Sequence, residues 1–108
     1  MNDYIIQIDS YDFEERLESG MALVYFCEYM NTGSRAIEIV MDEIAEKYAD
    51  RIRVYAVDAE QSPDILLHYG VESIPCVIFL KNGDPVESVE GANLSDIYEE
   101  IIEELLSC

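Results

Sequence analysis

The sequence has no Cys-x-x-Cys pair, a single histidine (His68) and only six lysines and arginines. Each shortage excludes something. Its three cysteines, at 27, 76 and 108, are odd in number and widely spaced, which is not the pattern of a disulfide-stapled secreted protein. One histidine and scattered cysteines do not make a zinc site, and no metal or cofactor is expected. No apolar run approaches the ~20 residues of a membrane-spanning helix. The longer runs are short, such as Met21–Cys27 and Cys76–Leu80. The start, Met1-Asn2-Asp3-Tyr4, lacks the basic and apolar regions of a signal peptide, so a cytoplasmic location is expected. There are no internal repeats, linkers or low-complexity segments.

What is present is an acidic chain of 108 residues, half of them apolar. That length implies one domain over 1–108 with one core, since a chain of this size buries roughly two-thirds of its unfolded surface. Twenty-four acidic residues against six basic ones leave a formal net charge of −18. Nucleic-acid backbones and anionic membranes are therefore poor partners. The acidic surface suits a basic protein partner, divalent cations or a salty cytoplasm, or serves solubility alone.

Periodicity and turn chemistry divide the chain. Tyr4–Ile8 reads as a strand, and Ser10 as the cap of a helix running to about Glu18, with Phe13 and Leu17 on one face and Gly20 closing it. The unbroken apolar run Met21–Cys27 reads as a strand buried on both faces. After a loop, a helix over about Ser34–Tyr48 places Ile37, Val40, Met41, Ile44 and Ala45 on one side. Ile52–Asp58 is a third strand. Ser62-Pro63 opens a helix that Gly70 closes. Cys76–Lys81 and Pro85–Glu90 form a hairpin through Asn82-Gly83-Asp84, because Asn-Gly suits the tight turn that antiparallel strands need. Ser95 caps a last helix with Ile97, Ile101, Ile102 and Leu105 inward. The order β-α-β-α-β-α-β-β-α requires a mixed sheet with helices on both faces, an α/β architecture.

This order is similar to that of thioredoxin, and particular residues agree with it. Val24-Tyr25-Phe26 resembles the strand leading into the thioredoxin active-site loop, and Asp42-Glu43-Ile44-Ala45 the middle of its long second helix. Asp58, Glu60, Gln61 and Pro63 resemble the exit of the third strand. Tyr69-Gly70-Val71 with Ile74-Pro75 resembles the segment carrying the family's cis-proline. Phe79-Leu80-Lys81-Asn82-Gly83 resembles the terminal hairpin, and Gly91-Ala92 the turn after it. The resemblance implies a thioredoxin-like fold. It also locates a departure: Met30-Asn31-Thr32-Gly33-Ser34 stands where thioredoxins carry Trp-Cys-Gly-Pro-Cys.

The departure matters because dithiol exchange needs a thiolate at a helix N-terminus and a second thiol to resolve the mixed disulfide. Asn31 and Ser34 occupy those two positions and supply neither, so no catalytic residue is expected there. Either is a good helix N-cap, and a nucleophilic serine needs an adjacent base. Arg35 resembles the basic residue that thioredoxins often carry beside the loop. The resemblance further implies a shallow groove for an extended partner segment, made here by Met30, Thr32, Gly33, Ile74, Pro75, Gly91 and Ala92. The plainer reading is that Ile74-Pro75 simply gives the fold a rigid turn. Glu90 makes the groove's rim acidic and favours basic partners.

The remaining thiols allow two readings. If Cys27 and Cys76 end antiparallel neighbouring strands directly opposite one another, they form a displaced redox pair. A slip of one residue puts them on opposite faces as small buried hydrophobes. Cys108 is expected to be a loose tail thiol. Asp58, Glu60 and Asp64 cluster in sequence without the glycine and spacing of a calcium loop. Glu99, Glu100, Glu103 and Glu104 form a solvated acidic face. The leading expectation is a non-catalytic module binding a protein or peptide. The alternative is an atypical thiol-disulfide oxidoreductase of cell redox homeostasis using Cys27 and Cys76, and a third is a vestigial structural relative.

Overall fold

A computed structural model describes residues 2–107. The expectation for Cys108 lies outside the described residues. The chain runs β1 (Ile5–Gln7), α1 (Phe13–Leu17), β2 (Met21–Cys27), α2 (Thr32–Lys47), β3 (Arg53–Asp58), α3 (Pro63–Tyr69), β4 (Cys76–Lys81), β5 (Asp84–Glu90) and α4 (Ser95–Leu106). The element order is the expected one. The five strands form one mixed sheet in the order β1-β3-β2-β4-β5. β3 pairs in parallel with β1 and β2, whereas β2–β4 and β4–β5 are antiparallel.

The central strands are apolar throughout because both their faces are covered. Leu23 and Tyr25 of β2, with Val77 and Phe79 of β4, pack under α2 and α4 against Ile37, Met41, Ile44, Tyr98 and Ile102. Val24 and Phe26, with Cys76, Ile78 and Leu80, face the other way, against Phe13 and Leu17 of α1 and Ile65 of α3. The stripe predicted for α2 is buried at Ile37, Met41, Ile44 and Ala45 and half-buried at Val40.

The hairpin turn forms at Asn82-Gly83, both with positive φ (50° and 85°). Asn82 also locks the turn onto Gly20: its Oδ1 accepts the Gly20 N–H at 2.9 Å and its own N–H donates to the Gly20 carbonyl at 2.9 Å. Gly20, with φ of 83°, therefore serves this docking and does not close α1, whose C-cap is Glu18 in right-handed conformation.

Other caps differ from expectation for local reasons. Ser10 does not cap α1; its hydroxyl donates to Asp64. The chain enters α1 through a reciprocal turn, in which Asp9 N–H donates to Asp12 Oδ1 and Tyr11 N–H to Asp9 Oδ1, each at 2.9 Å. Leu94, not Ser95, occupies the N-cap of α4. The inward residue of its first turn is Tyr98, fully buried, while Ile97 is 42% exposed. α2 begins two residues earlier than expected, at Thr32, because Asn31 provides its cap.

Candidate functional site

The end of β2, the start of α2, the turn before β4 and the exit of β5 converge at one edge of the sheet. The β2–α2 loop is held by its own side chains. Asn31 is the N-cap of α2, and its Oδ1 accepts the Ser34 N–H at 2.9 Å. The buried Ser34 hydroxyl oxygen reaches back and accepts the Glu28 N–H at 3.0 Å. The first bond satisfies a backbone donor that the helix start leaves open, and the second ties the loop after β2 to the first turn of α2. His68 is remote from Ser34 in its contacts: its ring lies edge-on to Phe13 and Tyr69 in the α1–α3 layer. Of the two caps that the sequence allows, Asn31 is the one used, and Ser34 is a strut beneath it.

The opposite wall is made of backbone. The Ile74–Pro75 peptide bond is cis. The Pro75 carbonyl accepts the Gly91 N–H at 2.9 Å, tying the turn before β4 to the exit of β5. Gly91 has φ of 83°, a conformation that favours glycine. Tyr98 holds this corner from below. Its hydroxyl donates to the Gly91 carbonyl at 3.3 Å and accepts the Asn93 N–H at 3.2 Å. Sequence reasoning missed Tyr98; the signal was a tyrosine one turn into a helix directly after the Gly91-Ala92 break.

Loop and wall touch. A Cβ at Gly33 would lie 3.0 Å from Pro75 Cδ and 3.2 Å from Asn31 Oδ1. Any side chain at Gly33 would require Pro75 or Asn31 to give by a few tenths of an ångström. The structure thus brings together Asn31, Gly33, Pro75 and Gly91 through direct contacts. Met30 projects outward, 80% exposed, with φ of 73°, and Tyr29 beside it is 82% exposed. A methionine with positive φ is uncommon, because its Cβ crowds the backbone. Ile74 is half-buried, and Thr32 and Ala92 are exposed. Glu90 lies at the rim as the register partner of Cys76.

The displaced redox pair is not formed. Cys76 stands opposite Phe26 in the antiparallel register, one residue short of Cys27. Side chains alternate along a strand, so this single step sends the two thiols to opposite faces of the sheet. Cys27 joins the layer under α2, and Cys76 the layer under α1 and α3; both are free. Burial foremost, then the charges of Glu38 and Asp58, push the Cys27 thiol up to about 11. The Cys76 thiol is likewise raised, by burial and then by Glu90. Neither is activated as a nucleophile, since attack requires the thiolate.

A cavity of about 430 Å³ lies behind the loop, between the carboxyl ends of β1, β3 and β2 and the first turns of α2. Cys27, Met30, Arg35, Glu38 and Asp58 are among its lining residues. The Asp58, Glu60 and Asp64 group does not assemble. Asp58 Oδ1 accepts the Glu60 N–H at 2.9 Å, whereas Asp64 pairs with Ser10. Among the described residues no group of three or more His, Cys, Asp or Glu side chains is placed to hold a metal. The α4 carboxylates are partly matched across the surface, Glu99 by Lys47 at 3.1 Å and Glu103 by Arg51 at 4.0 Å. None of the helices in the described residues is long and apolar enough to cross a membrane.

A mixed five-stranded sheet with a cis-proline wall facing a helix N-terminus defines a thioredoxin-type fold, as the sequence resemblance implied. The Thioredoxin family model matches residues 4–104, and the chain belongs to the thioredoxin family. It is similar to Thioredoxin of Staphylococcus epidermidis, 29% identical over 102 residues that cover 94% of this chain and 98% of the relative. Thioredoxin M-type, chloroplastic, of Pisum sativum is 43% identical over 58 residues, 54% of this chain and 34% of the relative. The corresponding protein of Spinacia oleracea is 38% identical over 73 residues, 68% of this chain and 40% of the relative. The chain thus spans well under half the length of these chloroplast relatives.

Proposed function

We propose that this protein is a non-catalytic binding module, which holds an extended protein or peptide segment in the groove between the β2–α2 loop and the cis-proline wall. The observation that carries the reading is the division of labour in that groove. The two positions of the family's thiols are occupied by a capping amide and a buried strut, Asn31 and Ser34, while the loop still touches the wall through Gly33 and Pro75. An intact platform without a nucleophile suits retention of a partner and not dithiol exchange. Partners are protein or peptide, with a preference for basic segments given the net charge of −18 and Glu90 at the rim. Nucleic acids and membrane surfaces are not partners on this reading, which sets the protein at work in the cytoplasm with its thiols reduced.

Met30 and Ile74 supply adaptable apolar contact at the two sides of the groove. Partners captured on the immobilised protein are expected to fall at least tenfold in recovery with Met30→Asp or Ile74→Asp. Leu67→Asp, on α3 and 83% exposed, is expected to leave recovery unchanged. Equal recovery by all three variants would remove the groove from the account.

A further inference from the structure

The cavity behind the loop has no role in the groove as described. It opens at the carboxyl ends of three parallel-paired strands, the usual position for ligands in open α/β sheets. Its volume of about 430 Å³ is within the range of small-ligand pockets. Its lining has a definite character. Tyr25, Cys27 and Met30 provide an apolar body, and its charged lining residues are three acidic ones, Glu28, Glu38 and Asp58, and one basic one, Arg35. The negative field is felt inside: after burial, Glu38 and Asp58 are what raise the Cys27 thiol. An anionic ligand is disfavoured by the same field, and a metal finds no group of three or more His, Cys, Asp or Glu among the described residues.

We propose that this cavity receives the side chain of a lysine or arginine carried by the partner segment in the neighbouring groove. The inference rests on the groove reading above. Met30 links the two places, since it lines the cavity and belongs to the groove's loop side. A basic side chain matches the lining from end to end: its aliphatic stem passes Met30 and Tyr25, and its charged head reaches the carboxylates. A free small cation shares only the second half of that match.

The test uses isotope-labelled full-length protein and backbone NMR. n-Butylammonium, n-butanol and butyrate are titrated at constant ionic strength. Two blocked heptapeptides follow, Ser-Val-Ser-Lys-Ser-Val-Ser and its norleucine counterpart. The expected result is saturable shifts at Gln7, Cys27 and Asp58 with the ammonium alone among the small probes. Asp58→Asn combined with Glu38→Gln should weaken it tenfold or more. The asparagine keeps the Oδ1 that accepts the Glu60 N–H, and retained spectral dispersion confirms folding. The lysine peptide should move both cavity and groove signals, and the norleucine peptide only those of Thr32, Ile74 and Ala92. Equal binding of butanol, preference for butyrate, or no cavity response would overturn the proposal. A lysine peptide that moves groove signals alone would overturn it and leave the groove standing. An ammonium response with no peptide response would overturn the partner side chain as the source, and the groove with it.

Discussion

The two sides of the groove are built in different ways. The loop side is made of side chains: an amide at Asn31 caps, a hydroxyl at Ser34 braces, and Met30 stands out in left-handed conformation. The wall is made of backbone, with a cis bond at Pro75, its carbonyl tied to Gly91, and the Tyr98 hydroxyl beneath. Side chains can be exchanged while the chain path stays, which is why the loop can lose the family's thiols and still meet the wall. Backbone geometry is harder to alter piecemeal. On the proposed reading, this difference is how a binding platform persists in one chain without dithiol chemistry.

The largest expected effect comes from forcing the two sides apart. Gly33→Ala sets a methyl group 3.0 Å from Pro75 Cδ. Overpacking of this kind costs about 1–3 kcal/mol, offset by the ~1 kcal/mol that alanine gains over glycine inside a helix, for a net loss of up to about 2 kcal/mol read as a lower urea midpoint, and partner recovery should fall with it. Tyr98→Phe attacks the wall alone. It removes the acceptor of the Asn93 N–H and the donor to the Gly91 carbonyl, for a loss of about 1 kcal/mol. Backbone signals should change at 91–93 and stay in place at Asn31 and Ser34. Changes spread equally over both sides would show that loop and wall are one unit.

Cys27 sharpens the comparison from the loop side. Its thiol lies at about 11 against an ordinary 9.0. At pH 8 its thiolate population should be about a hundredfold below that of an exposed thiol, and its alkylation about tenfold slower before any steric hindrance, since a thiolate of higher pKa is the better nucleophile. The unfolded thiol ionises first as pH rises, while the folded one keeps its proton. The contribution to stability is present below pH 9.0 and is lost between there and about 11. Cys27→Ala should flatten the stability curve over that window relative to the natural chain, as measured by urea denaturation. The smallest effect concerns neither side of the groove but the whole surface. With a net charge of −18, screening to a Debye length of about 8 Å should raise the melting temperature by a few degrees.

Much of the fold was legible because several signals agreed. β2 and β4 have the ends that the apolar runs suggest, since a strand covered on both faces has no polar residue to interrupt it. The Asn82-Gly83 turn was legible because few residue pairs accept two positive φ values. Caps were less so. Ser10 and Ser95 looked like helix starts, but Asp9 and Asp12 close a turn of their own, and Tyr98 sets the depth at which α4 enters the core. The pairing of Cys27 with Cys76 hung on a register of one residue, which tertiary packing decides and spacing does not. The cavity was not legible at all, because Gln7, Glu38 and Asp58 come from β1, α2 and β3 and meet only in the folded chain.

The central claim is that this chain keeps a partner platform and carries no exchangeable dithiol. Its most direct test is the state of Cys27 and Cys76 in the native protein across a series of glutathione redox buffers, read by mass spectrometry, with Cys108→Ser to remove the tail thiol. The account predicts that both thiols stay reduced and unmodified until the protein unfolds, because they lie on opposite faces of the sheet and are held protonated. A Cys27–Cys76 disulfide that forms and breaks reversibly at a defined potential would contradict it.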